Sequence, residues 1–102
     1  MRDEAKLTHT ATMILQAVAT GHAYGLSVME ATGLPSGTVY PAMRRLEEAK
    51  LIRSSWEPQK TADAEKRPPR KYYKLTARGK ERLEAAQKRY PLLAALAQGR
   101  TK

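Results

Sequence analysis

Residues 34–47 read Leu34-Pro35-Ser36-Gly37-Thr38-Val39-Tyr40-Pro41-Ala42-Met43-Arg44-Arg45-Leu46-Glu47. Val39, Met43 and Leu46 recur by i, i+4, i+7 and share one face of a helix. Thr38, Tyr40, Arg44 and Arg45 fall largely on the other faces. The pattern predicts a helix from about Ser36 to Ala49. Just before it, Thr32-Gly33-Leu34-Pro35 is a tight break: Gly33 tolerates the left-handed conformation and Pro35 cannot continue a preceding helix. Pro41 lacks the N–H that would bond the carbonyl of Gly37. The bare glycine leaves the backbone room to shift, so the helix is expected to survive with a distorted first or second turn.

Upstream, Leu7, Ala11, Ile14, Leu15 and Val18 make an apolar stripe on a helix from about Thr8 to Thr20, stopped by Gly21. A short second helix fits Ala23 to Ala31, with Leu26 and Met29 (or Val28) turned inward. Downstream, residues 51–57 alternate as a strand, with Ile52, Ser54 and Trp56 on one side. Trp56 is expected to serve as core or as support for the hairpin. Pro58 to Pro69 has no apolar periodicity and contains three prolines, and reads as a loop. Residues 70–76 read as a second strand with Tyr73 and Leu75 inward and Tyr72 and Lys74 outward. The two strands form an antiparallel hairpin with a long basic tip. Thr76 caps a last helix beginning at Ala77. Pro91 either kinks that helix or starts a second one.

The chain has 102 residues, 19 Lys+Arg against 10 Asp+Glu, a net charge of +9 and no cysteine. One domain is expected at this length. The lack of cysteine excludes a disulfide scaffold, a thiolate metal site and a cysteine nucleophile. His9 and His22 have no metal-ligand spacing around them and are taken as surface or helix-end residues, so neither metal nor cofactor is expected. No run of residues suits a membrane span or a signal peptide, and a soluble cytoplasmic protein is expected. Residues 1–43 carry two basic and three acidic side chains, a net of −1, whereas residues 44–102 carry seventeen basic and seven acidic, a net of +10. Such segregation suits a surface for a polyanion.

Helix, helix, turn, helix, strand, basic loop, strand, helix is the order of a winged helix-turn-helix, an α+β but mainly helical fold. In that arrangement the third helix enters the DNA major groove and the wing reaches the neighbouring backbone. Ser36, Gly37 and Thr38 bring the orphan N–H groups of a helix start and two hydroxyls, which suit phosphate. Tyr40 adds a phenol, and Arg44 and Arg45 reach phosphates or guanine edges. Each alone is as well explained by capping or solubility; together on one helix they favour DNA. The wing holds Lys66, Arg67, Arg70, Lys71 and Lys74, with no acid among residues 66–74. Pro68 and Pro69 stiffen its return arm. A basic RNA-binding or protein-adaptor module is the competing reading. It is disfavoured because the aromatics outside the wing look buried, whereas RNA readers expose stacking platforms. Nothing assembles a nucleophile with a base, so an enzyme is not expected.

Residues 34–47, with Arg67-Pro-Pro-Arg-Lys-Tyr-Tyr-Lys-Leu-Thr-Ala-Arg-Gly79 and Tyr24-Gly25 in the same order, resemble PadR-type winged-helix transcriptional regulators. The resemblance spans roughly residues 7–90. It implies a homodimeric DNA-binding repressor that recognises an inverted repeat. Ser36, Gly37, Thr38 and Tyr40 carry over as recognition-helix contacts, and Arg70, Lys71 and Tyr72 as wing contacts. It divides the chain into a DNA-binding domain, residues 1–76, and a dimerisation helix, residues 77–102, as in the family's compact branch. Any small-molecule effector then sits at the dimer interface. The last helix supports that interface independently: Leu83, Tyr90, Leu92, Leu93 and Leu96 are too apolar for an exposed helix. Together with Leu7 they are expected to meet a partner chain rather than the protein's own first helix, because residues 7–75 would already close the core.

Overall fold

A computed structural model describes residues 7–89. Its elements run α1 (His9–Ala19), α2 (Gly25–Thr32), α3 (Ser36–Glu48), β1 (Ile52–Trp56), α4 (Gln59–Ala64), β2 (Lys71–Leu75) and α5 (Ala77–Arg89). β1 and β2 pair antiparallel, in register from Ile52↔Leu75 to Trp56↔Lys71. This is the winged helix-turn-helix expected from the sequence, with one additional helix inside the wing.

The helices start and stop where local chemistry directs. The Thr8 hydroxyl accepts from the Ala11 amide at 3.0 Å and caps α1, a contact generally worth about 1 kcal/mol. Gly33 ends α2 at φ 76°, where a side chain would be strained. Pro35 is the N-cap of α3, its carbonyl accepting from both Thr38 and Val39. The helix then continues through Pro41 to Glu48. The Thr76 hydroxyl accepts from the Gly79 amide at 3.0 Å and donates to the Lys50 carbonyl at 2.7 Å, so the cap of α5 is also fastened to the end of the helix-turn-helix.

A single apolar core joins these elements. Ile14, Leu15 and Val18 of α1 meet Val28 of α2, Val39, Met43 and Leu46 of α3, Ile52 and Tyr73 of the sheet, and Leu83 of α5. Burial of each large side chain contributes roughly 1.5–3 kcal/mol. Tyr73 also joins the wing to the helix-turn-helix through the backbone, its N–H donating to the Ala23 carbonyl at 2.7 Å.

Four expectations are corrected here. In α2, Val28 is buried and Leu26 points out, 51% exposed. In so short a helix either register puts an apolar residue inside, and packing against α3 chooses Val28. Residues 59–64 form a helix rather than loop: Pro58 is a permitted N-cap, Ala62 is fully buried, and the Gln59 amide donates to the Asp63 carboxylate at 2.8 Å. Trp56 is 66% exposed, because β1 extends beyond the core that Ile52 enters. Leu83, 6% exposed, belongs to the protomer's own core, and Ala86 is buried beside it. The core therefore does not close with residues 7–75, and Leu83 is not available to a partner chain. Leu7 is half-buried against the same core. Tyr90, Leu92, Leu93 and Leu96, and the expected kink or break at Pro91, lie outside the described residues.

Candidate DNA interface

The buried stripe of α3 fixes which side of that helix meets solvent. With Val39, Met43 and Leu46 inside, Ser36, Gly37, Tyr40, Arg44 and Arg45 are exposed and Thr38 is half-buried. No side chain caps the amides at the helix start, so the first N–H groups and the positive end of the helix dipole remain open to an anion. Arg44 and Arg45 form no ion pair among the described residues. Tyr40 is 45% exposed and its ring lies against Gly25, where any Cβ would overlap it. Gly25 thus leaves the space that the Tyr40 ring occupies. An exposed Tyr40 also corrects the expectation that the aromatics outside the wing are buried.

The wing is organised around Glu57, an acid that the sequence reading did not single out. Its side chain is 4% exposed. The Arg67 guanidinium donates to both of its oxygens, at 2.6 and 2.9 Å. The Arg70 amide donates at 3.2 Å and the Tyr72 hydroxyl at 3.1 Å. Hydrogen bonding to Arg67, partly opposed by burial, holds the Glu57 carboxyl down at about 2. The same contact raises the pKa of Arg67 further above its ordinary value. Arg67 and Tyr72, both expected at the DNA, are therefore engaged inside the wing. Arg70 lies with its guanidinium 4.1 Å above the Tyr24 ring, which meets Tyr72 edge-on at 5.6 Å. Lys66 and Lys74 are exposed, and Lys71 is half-buried.

Glu47 ties the wing to the helix. Its carboxylate accepts from the Ser54 hydroxyl at 2.6 Å and lies 3.8 Å from the Lys71 ammonium. The recognition helix, β1 and β2 are thereby held in one arrangement. Burial, together with the nearby Glu47 charge, raises the pKa of Tyr73. Signals for both acids are present in the sequence, Glu47 following Arg44 and Arg45 and Glu57 preceding the basic segment of the wing. Their cationic partners, however, lie ten and twenty-four residues away across the hairpin.

An uncapped, cation-bearing recognition helix fixed against a basic hairpin defines a winged-helix DNA-binding regulator. Residues 14–85 match the sequence profile of the transcriptional regulator PadR-like family, and the chain belongs to that family. Its members are transcription regulators rather than enzymes. The fold is similar to that of a PadR family transcription regulator from Clostridium difficile R20291, with 25% identity, TM-score 0.72, and 85% of this chain and 92% of that one covered. A PadR-like transcription factor from Bacteroides fragilis is 26% identical, with TM-score 0.67 and 82% of each chain covered. BpsR of Bordetella bronchiseptica shares the fold at 24% identity and TM-score 0.70, over 97% of this chain and 70% of that one. No curated protein matches the sequence. No helix among the described residues is long and apolar enough to cross a membrane.

Proposed function

We propose that the protein is a homodimeric repressor that binds an inverted-repeat operator in double-stranded DNA. Residues 1–76 carry the DNA-binding elements and residues 77–102 carry dimerisation, with α5 also completing the core through Leu83. One observation carries this reading: Tyr40 on the open face of α3 and Arg70 and Lys71 of the basic wing line one open cavity, and Glu47 of α3 is joined to both strands. Ser36, Gly37, Thr38 and Tyr40 approach the major groove, Arg44 and Arg45 take phosphates or guanine edges, and Lys66, Arg70, Lys71 and Lys74 follow the neighbouring backbone. Arg67 and Tyr72 act by holding the wing in shape. With Leu83 inside the protomer, the exchange of apolar surface falls to Tyr90, Leu92, Leu93 and Leu96. A small molecule releases the complex from the dimer interface; BpsR, whose DNA binding is regulated by 6-hydroxynicotinic acid, offers a precedent on the same fold.

Selection from random duplexes tests the proposal. The expected product is a palindrome with half-sites about 10 bp apart, centre to centre. Recovery of no inverted repeat contradicts it. In sedimentation, Leu93→Glu is expected to leave a monomer; a persisting dimer removes that seam.

A further inference from the structure

Among the described residues, Leu26, Tyr40 and Trp56 are the exposed large hydrophobic side chains. They come from α2, α3 and β1, yet all three line one open cavity of about 510 Å³. Arg70 and Lys71 complete its wall, and no carboxylate lines it. The Lys71 ammonium lies 5.9 Å from the Trp56 ring, and Arg70 covers the ring of Tyr24. The cavity thus sets apolar and aromatic side chains beside cationic ones. Three such side chains left in water at one place, rather than scattered, indicate a surface that becomes covered.

The occupant follows from position and charge. One wall holds Tyr40 of the recognition helix beside Leu26, and the other is the return arm of the wing, Pro68 and Pro69. A DNA strand running from the groove entered by α3 to the groove reached by the wing crosses between those walls. Deoxyribose presents C–H surface flanked on each side by an anionic phosphate, which complements apolar side chains with cations beside them. We propose that this cavity seats the sugar–phosphate backbone of bound DNA, with Leu26 and Trp56 packing on deoxyribose and Arg70 and Lys71 meeting the adjacent phosphate. The inference rests on the DNA-binding reading above and adds two contacts to it. Both position the duplex without reading its sequence.

Trp56 is the chain's one tryptophan, so its fluorescence reports this cavity alone. The experiment follows binding of a dye-labelled duplex by anisotropy and, separately, acrylamide quenching of Trp56 in the free and the DNA-saturated protein. The expected result is a several-fold fall in quenching on saturation. Trp56→Ala, and independently Leu26→Ser from a different element, are expected to weaken binding roughly tenfold on selected and random duplexes alike. The slope of log K against log salt stays unchanged in both, because an apolar contact releases no counterion. Lys71→Ala lowers that slope by about 1. Duplex binding with Trp56 as quenchable as before overturns the backbone contact alone and assigns the cavity to another occupant, such as a small planar molecule or a protein. Absence of duplex binding by anisotropy overturns the DNA reading and this contact with it.

Discussion

The recognition helix and the wing both contribute positive charge, and they hold it in opposite ways. α3 rests on a buried apolar stripe, and its arginines are not consumed by the fold. Beyond the core-facing Ile52, Tyr73 and Leu75 at its base, the wing has little apolar packing except Ala62, and it is organised around a buried carboxylate that engages Arg67 through both of its oxygens. Arg70 and Lys71 are partly engaged by Tyr24 and Glu47. A count of cations therefore overstates the charge that can reach a partner. Five cations between residues 66 and 74 look alike in sequence, yet one of them is internal architecture.

The largest expected effect separates the two regions by stability. Met43 is fully buried beneath α3, so Met43→Ala should cost about 2–5 kcal/mol of global stability, read from urea unfolding. A loss below about 1 kcal/mol would mean that the helix is not held by its core stripe. Next comes charge. Arg44→Ala combined with Arg45→Ala should lower the salt slope of DNA binding by about 2, one unit for each lost phosphate contact. Arg67→Ala should leave the slope nearly unchanged while accelerating amide exchange in residues 57–72. A slope that fell equally in both variants would erase the distinction drawn between helix and wing.

Acid should then divide the regions further. The Glu57 carboxyl is held below its ordinary 4.5, at about 2. Its contribution to the wing is therefore fully present above pH 4.5 and is lost as pH falls through about 2. Amide exchange and the Tyr72 ring resonances should show the wing loosening across that interval, with α3 retaining its protection. Simultaneous loss of both elements would show that Glu57 does not act locally. The smallest effect concerns Tyr40. Gly25→Ala displaces its ring and should weaken DNA binding a few-fold with little change in unfolding midpoint. Unchanged affinity would show that the ring's direction is not set by that contact.

Much of this architecture is legible in the sequence, because periodicity reports directly on burial. Val39, Met43 and Leu46 identify α3 and its open face, and the alternation around Tyr73 identifies β2. What escapes the pattern has physical causes. α4 is only six residues long, too short for an apolar period to emerge. Leu26 and Val28 compete for the inner face of an eight-residue helix, and local sequence does not arbitrate between them. The Glu57–Arg67 pair closes across α4, so its partners become visible only once the intervening segment has folded. Trp56 looks like core by composition. It lies outside because its strand outruns the core, which no local signal records.

The central claim is that α3 and the wing form one DNA-binding face. Amide hydrogen exchange on the protein with and without its selected duplex tests it most directly. The account predicts slowed exchange at residues 36–45 and 66–74 together, with α1 little affected. Slowing confined to α1 and α5, or to the wing without α3, would contradict it.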